Sequence, residues 1–255
     1  MSAPDILAIL CGAAVGLILA LIGGGGSILA TPLLLYVVGV ANPHAAIGTS
    51  ALAVSVNAFA NFITHLRAGN VKWRCALVFA AGGVLGALIG AEIGKRTDPD
   101  ILLPLFALAM IVVGAAMLRR RDDVGDPAIR LTAAMTPRVA LTGFAVGVVS
   151  GFFGIGGGFL VVPGLIASTG MTRLHAIGSS LFAVGALGAT TAASYAAGGL
   201  VDWRIAGLFI GGGIVGGVIG ARLCHYLSGF RGVLQRIFAF VIFAVAAYML
   251  YRTLL

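Results

Sequence analysis

Residues 21–32, LIGGGGSILATP, halt an apolar run with four glycines, restart it and close it on a proline. Residues 152–163, FFGIGGGFLVVP, repeat the pattern 131 positions later. Glycine in such a cluster allows positive φ and leaves backbone N–H groups uncovered. At the start of a helix those groups, with the positive end of the helix dipole, form a concavity suited to an anion. A single cluster is equally well explained by close helix packing. Two clusters at equivalent places favour a site. Neither is a nucleotide loop: no β-strand precedes GFFGIGGG, no acidic residue stands about 20 positions on, and GGGGS lacks the P-loop lysine.

The sequence around these breaks is that of an integral membrane protein. Of 255 residues, 60% are apolar and 9% charged, and the mean hydropathy is +1.11. A soluble domain is about 45–50% apolar and about 25% charged, so this chain has too little polar surface to cover a water-soluble globule. Disorder, a disulfide scaffold and a soluble multidomain enzyme are excluded together. Apolar runs cover 6–22, 28–40, 45–66, 73–93, 101–118, 139–153, 159–168, 176–197, 205–223 and 234–255. A spanning helix needs about 20 residues, which most of these approach. The two that follow the glycine clusters are shorter and read as broken or half-spanning helices. The expected fold is an all-α polytopic membrane protein of about 8–10 segments. Cys11, Cys75 and Cys224 lie in apolar runs without metal-ligand spacing and read as small buried hydrophobes. The net charge of +8 sits mostly between apolar segments, where membrane orientation accounts for it without nucleic acid. The start, MSAPDIL, lacks the basic region of a cleaved signal peptide.

The polar stretch 119–138 divides the chain into a first membrane repeat, 1–118, and a second, 139–255. At an offset of 131, Gly23, Gly25, Gly26, Pro32, His44 and Ala45 match Gly154, Gly156, Gly157, Pro163, His175 and Ala176. One residue is then dropped. Gly48, Ser50, Gly69, Val71, Trp73, Gly82, Gly86 and Gly90 match Gly178, Ser180, Gly199, Val201, Trp203, Gly212, Gly216 and Gly220. With five crossings per half, one side of the membrane holds twelve of the sixteen basic residues. With four, the best split is ten to six. The positive-inside rule therefore favours inverted halves with both termini outside.

Other residues qualify the picture. The AIGTS and AIGSS motifs place Thr49, Ser50, Ser179 and Ser180 in the opening turns of long helices. There they serve as caps or as hydrogen-bond donors to an oxyanion beside the breaks. Asn57, Asn61 and His65 share one helix face, which suits a path lining or an interhelical contact. Their counterparts are Leu187, Thr191 and Tyr195. His44 and His175 read as interfacial histidines. Glycines at four-residue spacing (12/16, 82/86/90/94, 143/147/151, 212/216/220) read as packing faces. Of eight acidic residues only Glu92 lies in an apolar run, one turn from Lys95 and Arg96, which points to an interfacial ion pair. A carboxylate relay for protons is missing. An anion leaving a negative interior needs none, because the potential favours its exit by about 2.3 kcal/mol per charge per 100 mV.

GGGGSILATP and SGFFGIGGGFLVVP, the AIGTS and AIGSS helix openings, and the GNVKW and GGLVDW turns together resemble the sulfite exporter TauE/SafE family of membrane permeases. The resemblance covers nearly the whole chain and recurs in both halves. It implies a multi-pass permease of the cell inner membrane, without prosthetic group, for sulfite, sulfonates and related organosulfur anions. Carried onto this chain, the candidate site is Gly23, Gly24, Gly25, Gly26 and Ser27 with Thr49 and Ser50. It faces Gly154, Gly156, Gly157 and Gly158 with Ser179 and Ser180, and Asn57 joins it from the polar stripe. The expected partners are a small anionic substrate and the bilayer, and monomer and homodimer are both open. An anion channel with the glycine backbone as filter and an uptake carrier for carboxylates or other anions are the alternatives. An intramembrane hydrolase is disfavoured, because no GxSxG elbow is present and no acid pairs with His65 or His225 in the membrane.

Overall fold

The computed structural model describes residues 3–22, 24–119, 125–126, 129, 131–226 and 231–254. In the first half they form α1 (Ala3–Ile22), a 3₁₀ turn (Gly24–Leu29), α2 (Ala30–Leu33), a π turn (Leu34–Val38), α3 (Pro43–Arg67), α4 (Trp73–Arg96) and α5 (Pro99–Arg119). The second half forms α6 (Thr136–Phe153), α7 (Gly158–Thr169), α8 (Arg173–Ala197), α9 (Trp203–Tyr226) and α10 (Arg231–Leu254). Among the described residues no strand forms, only an isolated bridge between Asp126 and Met171. Eight helices among the described residues are long and apolar enough to cross a bilayer: all but α2 and α7. The chain is an all-α polytopic membrane protein.

Local chemistry sets the helix ends. The Asn42 side chain accepts the N–H groups of His44 (2.9 Å) and Ala45 (3.3 Å), and Pro43 fixes the first turn of α3. The broken, half-spanning segment expected over 28–40 is three turns of different pitch. Pro32 has no N–H to offer the Ile28 carbonyl one turn back, and glycines upstream resist helical order. The arm ends at Gly39, whose φ is +86°. In the other half α7 keeps regular geometry despite Pro163.

Helices α3 and α8 form the centre, with 72% and 67% of their spans buried against 28–44% for the other spans. They run antiparallel. Gly48, early in α3, lies against Tyr195 and Leu200 at the end of α8. Midway, the Ser55 hydroxyl donates to the Gly185 carbonyl at 2.7 Å. Gly178, early in α8, meets Asn70 beyond the end of α3. Around this pair the contacts interleave the stretches 1–118 and 139–255: α1 packs on α9, α4 on α6, and α5 on α10. Gly12 and Gly16 face Phe209 and Gly213, while Gly82, Gly86 and Gly90 face Ala140, Phe144 and Val148. Both sets rise together in sequence, so each pair is parallel. At these crossings a Cβ would enter a carbonyl of the facing helix, which is why the four-residue glycine faces are needed for such close approach.

The two ends of the bundle differ in charge. Arg67, Lys72, Arg74, Arg138 and Arg173 gather at one end, where the Arg138 guanidinium donates to the Ala167 carbonyl at 2.7 Å. Lys95, Arg96, Arg204 and Arg252 lie at the other. There Glu92 forms the expected ion pair with Lys95 (2.6 Å) and accepts from the Ser194 hydroxyl, and Arg204 pairs with Asp5 at 2.8 Å.

Candidate functional site

The second glycine break is built by backbone conformations that only glycine adopts cheaply. Helix α6 ends as the N–H groups of Gly154 and Ile155 both bond to the Ser150 carbonyl. Gly154, Gly156 and Gly157 then take φ of +67°, +66° and +67°, a region that costs other L-residues roughly 1–2 kcal/mol each. Gly157 caps α7, and its carbonyl accepts from Leu160 and Val161, both at 2.9 Å. The amides of Gly158 and Phe159 precede these first intrahelical bonds, at the positions where a helix start leaves N–H groups without an intrahelical acceptor.

Packing places this break at mid-depth. A Cβ on Gly154 would collide with Ile47 of α3. Gly156 sits between Val54 and Val184, at 3.1 and 3.6 Å from a Cβ built on it, and these valines occupy the middle of two 25-residue helices. The first break meets it. The turn Gly24–Leu29 contacts both α7 and α8, with Gly26 tight against Leu19 and Ile18 of α1. Gly23 lies outside the described residues. Ser27, next along, is fully buried. Neither the breaks nor the runs 45–66 and 176–197 contain a Lys, Arg, Asp or Glu, so the polar groups nearest the breaks are peptide dipoles, hydroxyls and amides.

The hydroxyls expected beside the breaks divide in two. Ser50 joins the second break: its Oγ lies 2.8 Å from the Thr31 hydroxyl, 2.9 Å from the Ile47 carbonyl and 3.4 Å from the Gly154 carbonyl. Ser180, its counterpart, donates to the Ile177 carbonyl at 2.8 Å, and Val162 stands where Thr31 would be. Thr49 and Ser179 do not turn toward the breaks. The Asp202 N–H donates to Thr49 Oγ1 and the Lys72 N–H to Ser179 Oγ, both at 2.9 Å. Each hydroxyl thus ties down the loop at the start of a helix in the other half.

Asn57 is fully buried, and neither atom of its amide has a hydrogen-bond partner. It packs over Gly213 of α9, leaving no room for a side chain there. One turn on, the Asn61 amide donates to the Asn57 carbonyl at 2.9 Å, and the buried Nδ1 of His65 is unpartnered. Sequence reasoning missed Ser150. Its hydroxyl is fully buried and unpartnered, and lies 2.9 Å from a Cβ built on Gly157. A lone serine in an apolar run gives little signal. The available one was the comparison of halves, which sets Ser150 opposite Leu19.

The profile of the family described as "Sulfite exporter TauE/SafE" matches residues 8–249. The chain belongs to that family. A protein of Xylella fastidiosa (strain Temecula1) named "Probable membrane transporter protein" is 52% identical over 243 residues, covering 95% of this chain and 93% of the relative. "Probable membrane transporter protein YunE" of Bacillus subtilis is 26% identical over 242 residues, covering 86% and 88%. A Haemophilus influenzae protein, also named "Probable membrane transporter protein", is 30% identical over 186 residues, covering 69% and 68%. No solved structure matches the chain. This TauE/SafE protein is a multi-pass membrane transporter.

Proposed function

We propose that the chain exports small anions across the bacterial inner membrane, with sulfite, sulfonates or related organosulfur anions as cargo. The anion binds where the two glycine breaks meet between α3 and α8. The observation that carries this reading is the second break itself. It lies between mid-helix residues Val54 and Val184 and presents a helix start, with an unpartnered buried amide, Asn57, one turn along α3 from Val54. Such a start attracts negative charge through N–H groups and the helix dipole. No Lys, Arg, Asp or Glu in the breaks or in 45–66 and 176–197 competes with these donors for the anion.

Antiparallel α3 and α8, with crosswise bonds from Lys72 to Ser179 and from Asp202 to Thr49, support reading the chain as two inverted halves. Inverted halves that rock about a central site give alternating access. The basic end, with Arg67, Lys72, Arg74, Arg138 and Arg173, is then cytoplasmic. The test is uptake of labelled sulfite and methanesulfonate by proteoliposomes under an imposed potential, for the wild type and Ser50→Ala. Saturable flux that follows the potential and weakens in the variant supports the reading. Flux of neither anion, or an ohmic current that does not saturate, overturns it.

A further inference from the structure

We infer that Ser150 and the first amides of α7 form an oxyanion subsite that selects a monoanion over a dianion, which for the cargo proposed above means a sulfonate or hydrogensulfite. The inference rests on the anion-export reading above and assigns that cargo a binding point and a charge. A buried hydroxyl without a partner costs free energy unless something supplies one. Ser150 Oγ is fully buried, has no partner, and stands beside Gly157, the residue that caps α7. Its unused hydrogen therefore lies at the same helix start as the first amides of α7, those of Gly158 and Phe159. One –SO₃ oxygen can accept from the hydroxyl and another from the amides.

Comparison of the halves indicates why this break rather than the other. Gly26 corresponds to Gly157 and Leu19 to Ser150, but Gly26 lies against the backbone of Leu19, whereas Gly157 lies against the side chain of Ser150. Only the second half therefore sets a hydroxyl beside its break. The second break also opens a twelve-residue α-helix, whereas the first opens a 3₁₀ turn and a four-residue α2. The aligned dipole is correspondingly better developed at α7. Charge selectivity follows from the missing cations. No lysine or arginine lies in 139–163, 45–66 or 176–197, so hydrogen bonds alone must replace hydration. The Born cost grows with the square of the charge, and a dianion loses about four times as much as a monoanion on entry.

Titration of the purified full-length protein with sodium methanesulfonate and with sodium sulfate, followed by calorimetry, tests the inference. Wild type binds methanesulfonate and prefers it to sulfate at least tenfold. Ser150→Ala weakens that binding by about 10- to 100-fold, the range of one hydrogen bond to a charged group. Its melting temperature without ligand stays level or rises, because an unsatisfied hydroxyl is removed. In wild type labelled with ¹⁵N-glycine, methanesulfonate shifts the Gly157 and Gly158 amide resonances, a readout independent of the variant. Equal affinity in Ser150→Ala, or unmoved Gly157 and Gly158 resonances on binding, overturns the subsite and leaves anion export standing. Preference for sulfate overturns the charge assignment. Failure of wild type to bind methanesulfonate or hydrogensulfite overturns both readings.

Discussion

Alanine at Gly154 isolates what the second break demands of its backbone. Three glycines with nearly the same positive φ differ in what a methyl group would meet. At Gly170, with φ +75°, nothing lies within 4 Å. At Gly156 the methyl touches Val54 at 3.1 Å and Val184 at 3.6 Å, and at Gly154 it collides with Ile47. Gly170→Ala therefore reports backbone strain alone, roughly 1–2 kcal/mol. Gly154→Ala adds overpacking of about 1–3 kcal/mol, for a total of roughly 2–5 kcal/mol. Each kcal/mol lowers the melting temperature of a chain near this size by about 2–4 °C. Gly154→Ala should then melt roughly 2–12 °C below Gly170→Ala, with Gly156→Ala between them. Fluorescence-detected unfolding in detergent, with Trp73 and Trp203 as reporters, gives the order. Adding Ile47→Ala makes room for the new methyl and should restore about 1–3 kcal/mol beyond the sum of the single effects. The reasoning is refuted if the three alanine variants melt together, or if Ile47→Ala and Gly154→Ala simply add.

Other expectations follow from the packing. Gly147→Leu, which forces α6 into Gly83 of α4, should abolish a monodisperse peak in size-exclusion chromatography, whereas Gly207→Leu on an open helix face should leave it intact. Thr49→Val and Ser179→Ala each remove the acceptor of a loop N–H and should cost about 1 kcal/mol. Their flux measurements should return an unchanged KM, since both hydroxyls face away from the breaks. Asn57→Leu replaces an unsatisfied buried amide with the residue that Leu187 supplies in the other half. It should hold or raise the unliganded melting temperature while lowering anion flux at least tenfold.

The sequence and the structure agree most closely where backbone chemistry dictates local form. The spanning runs, the glycine faces of α1, α4, α6 and α9, the Glu92–Lys95 pair and the break at Gly154–Gly157 were legible, because hydropathy, close approach and positive φ each leave a residue signature. What depended on the direction of a side chain was not. Thr49 and Ser50 are adjacent, so a helix sends their hydroxyls about 100° apart, one to Asp202 and the other to the second break. Only the packing of α3 against α8 decides which goes where. Ser150 was hidden because an isolated serine in an apolar helix normally bonds to its own backbone, and its orphan state appears only once α7 is seen to start beside it. The break of the first arm was legible from its glycines and Pro32, but its division into 3₁₀, α and π turns was not, since α7 carries Pro163 at the matching position and stays regular.

The central claim is that an anion occupies the meeting place of the breaks between α3 and α8. Substrate protection of a cysteine placed at Val54, in a chain whose native Cys11, Cys75 and Cys224 are replaced, tests it most directly. An anionic methanethiosulfonate sulfonate reagent should modify this cysteine, and sulfite or methanesulfonate should slow the reaction with saturating dependence while sulfate does so weakly. Modification that proceeds at the same rate with and without these anions would contradict it.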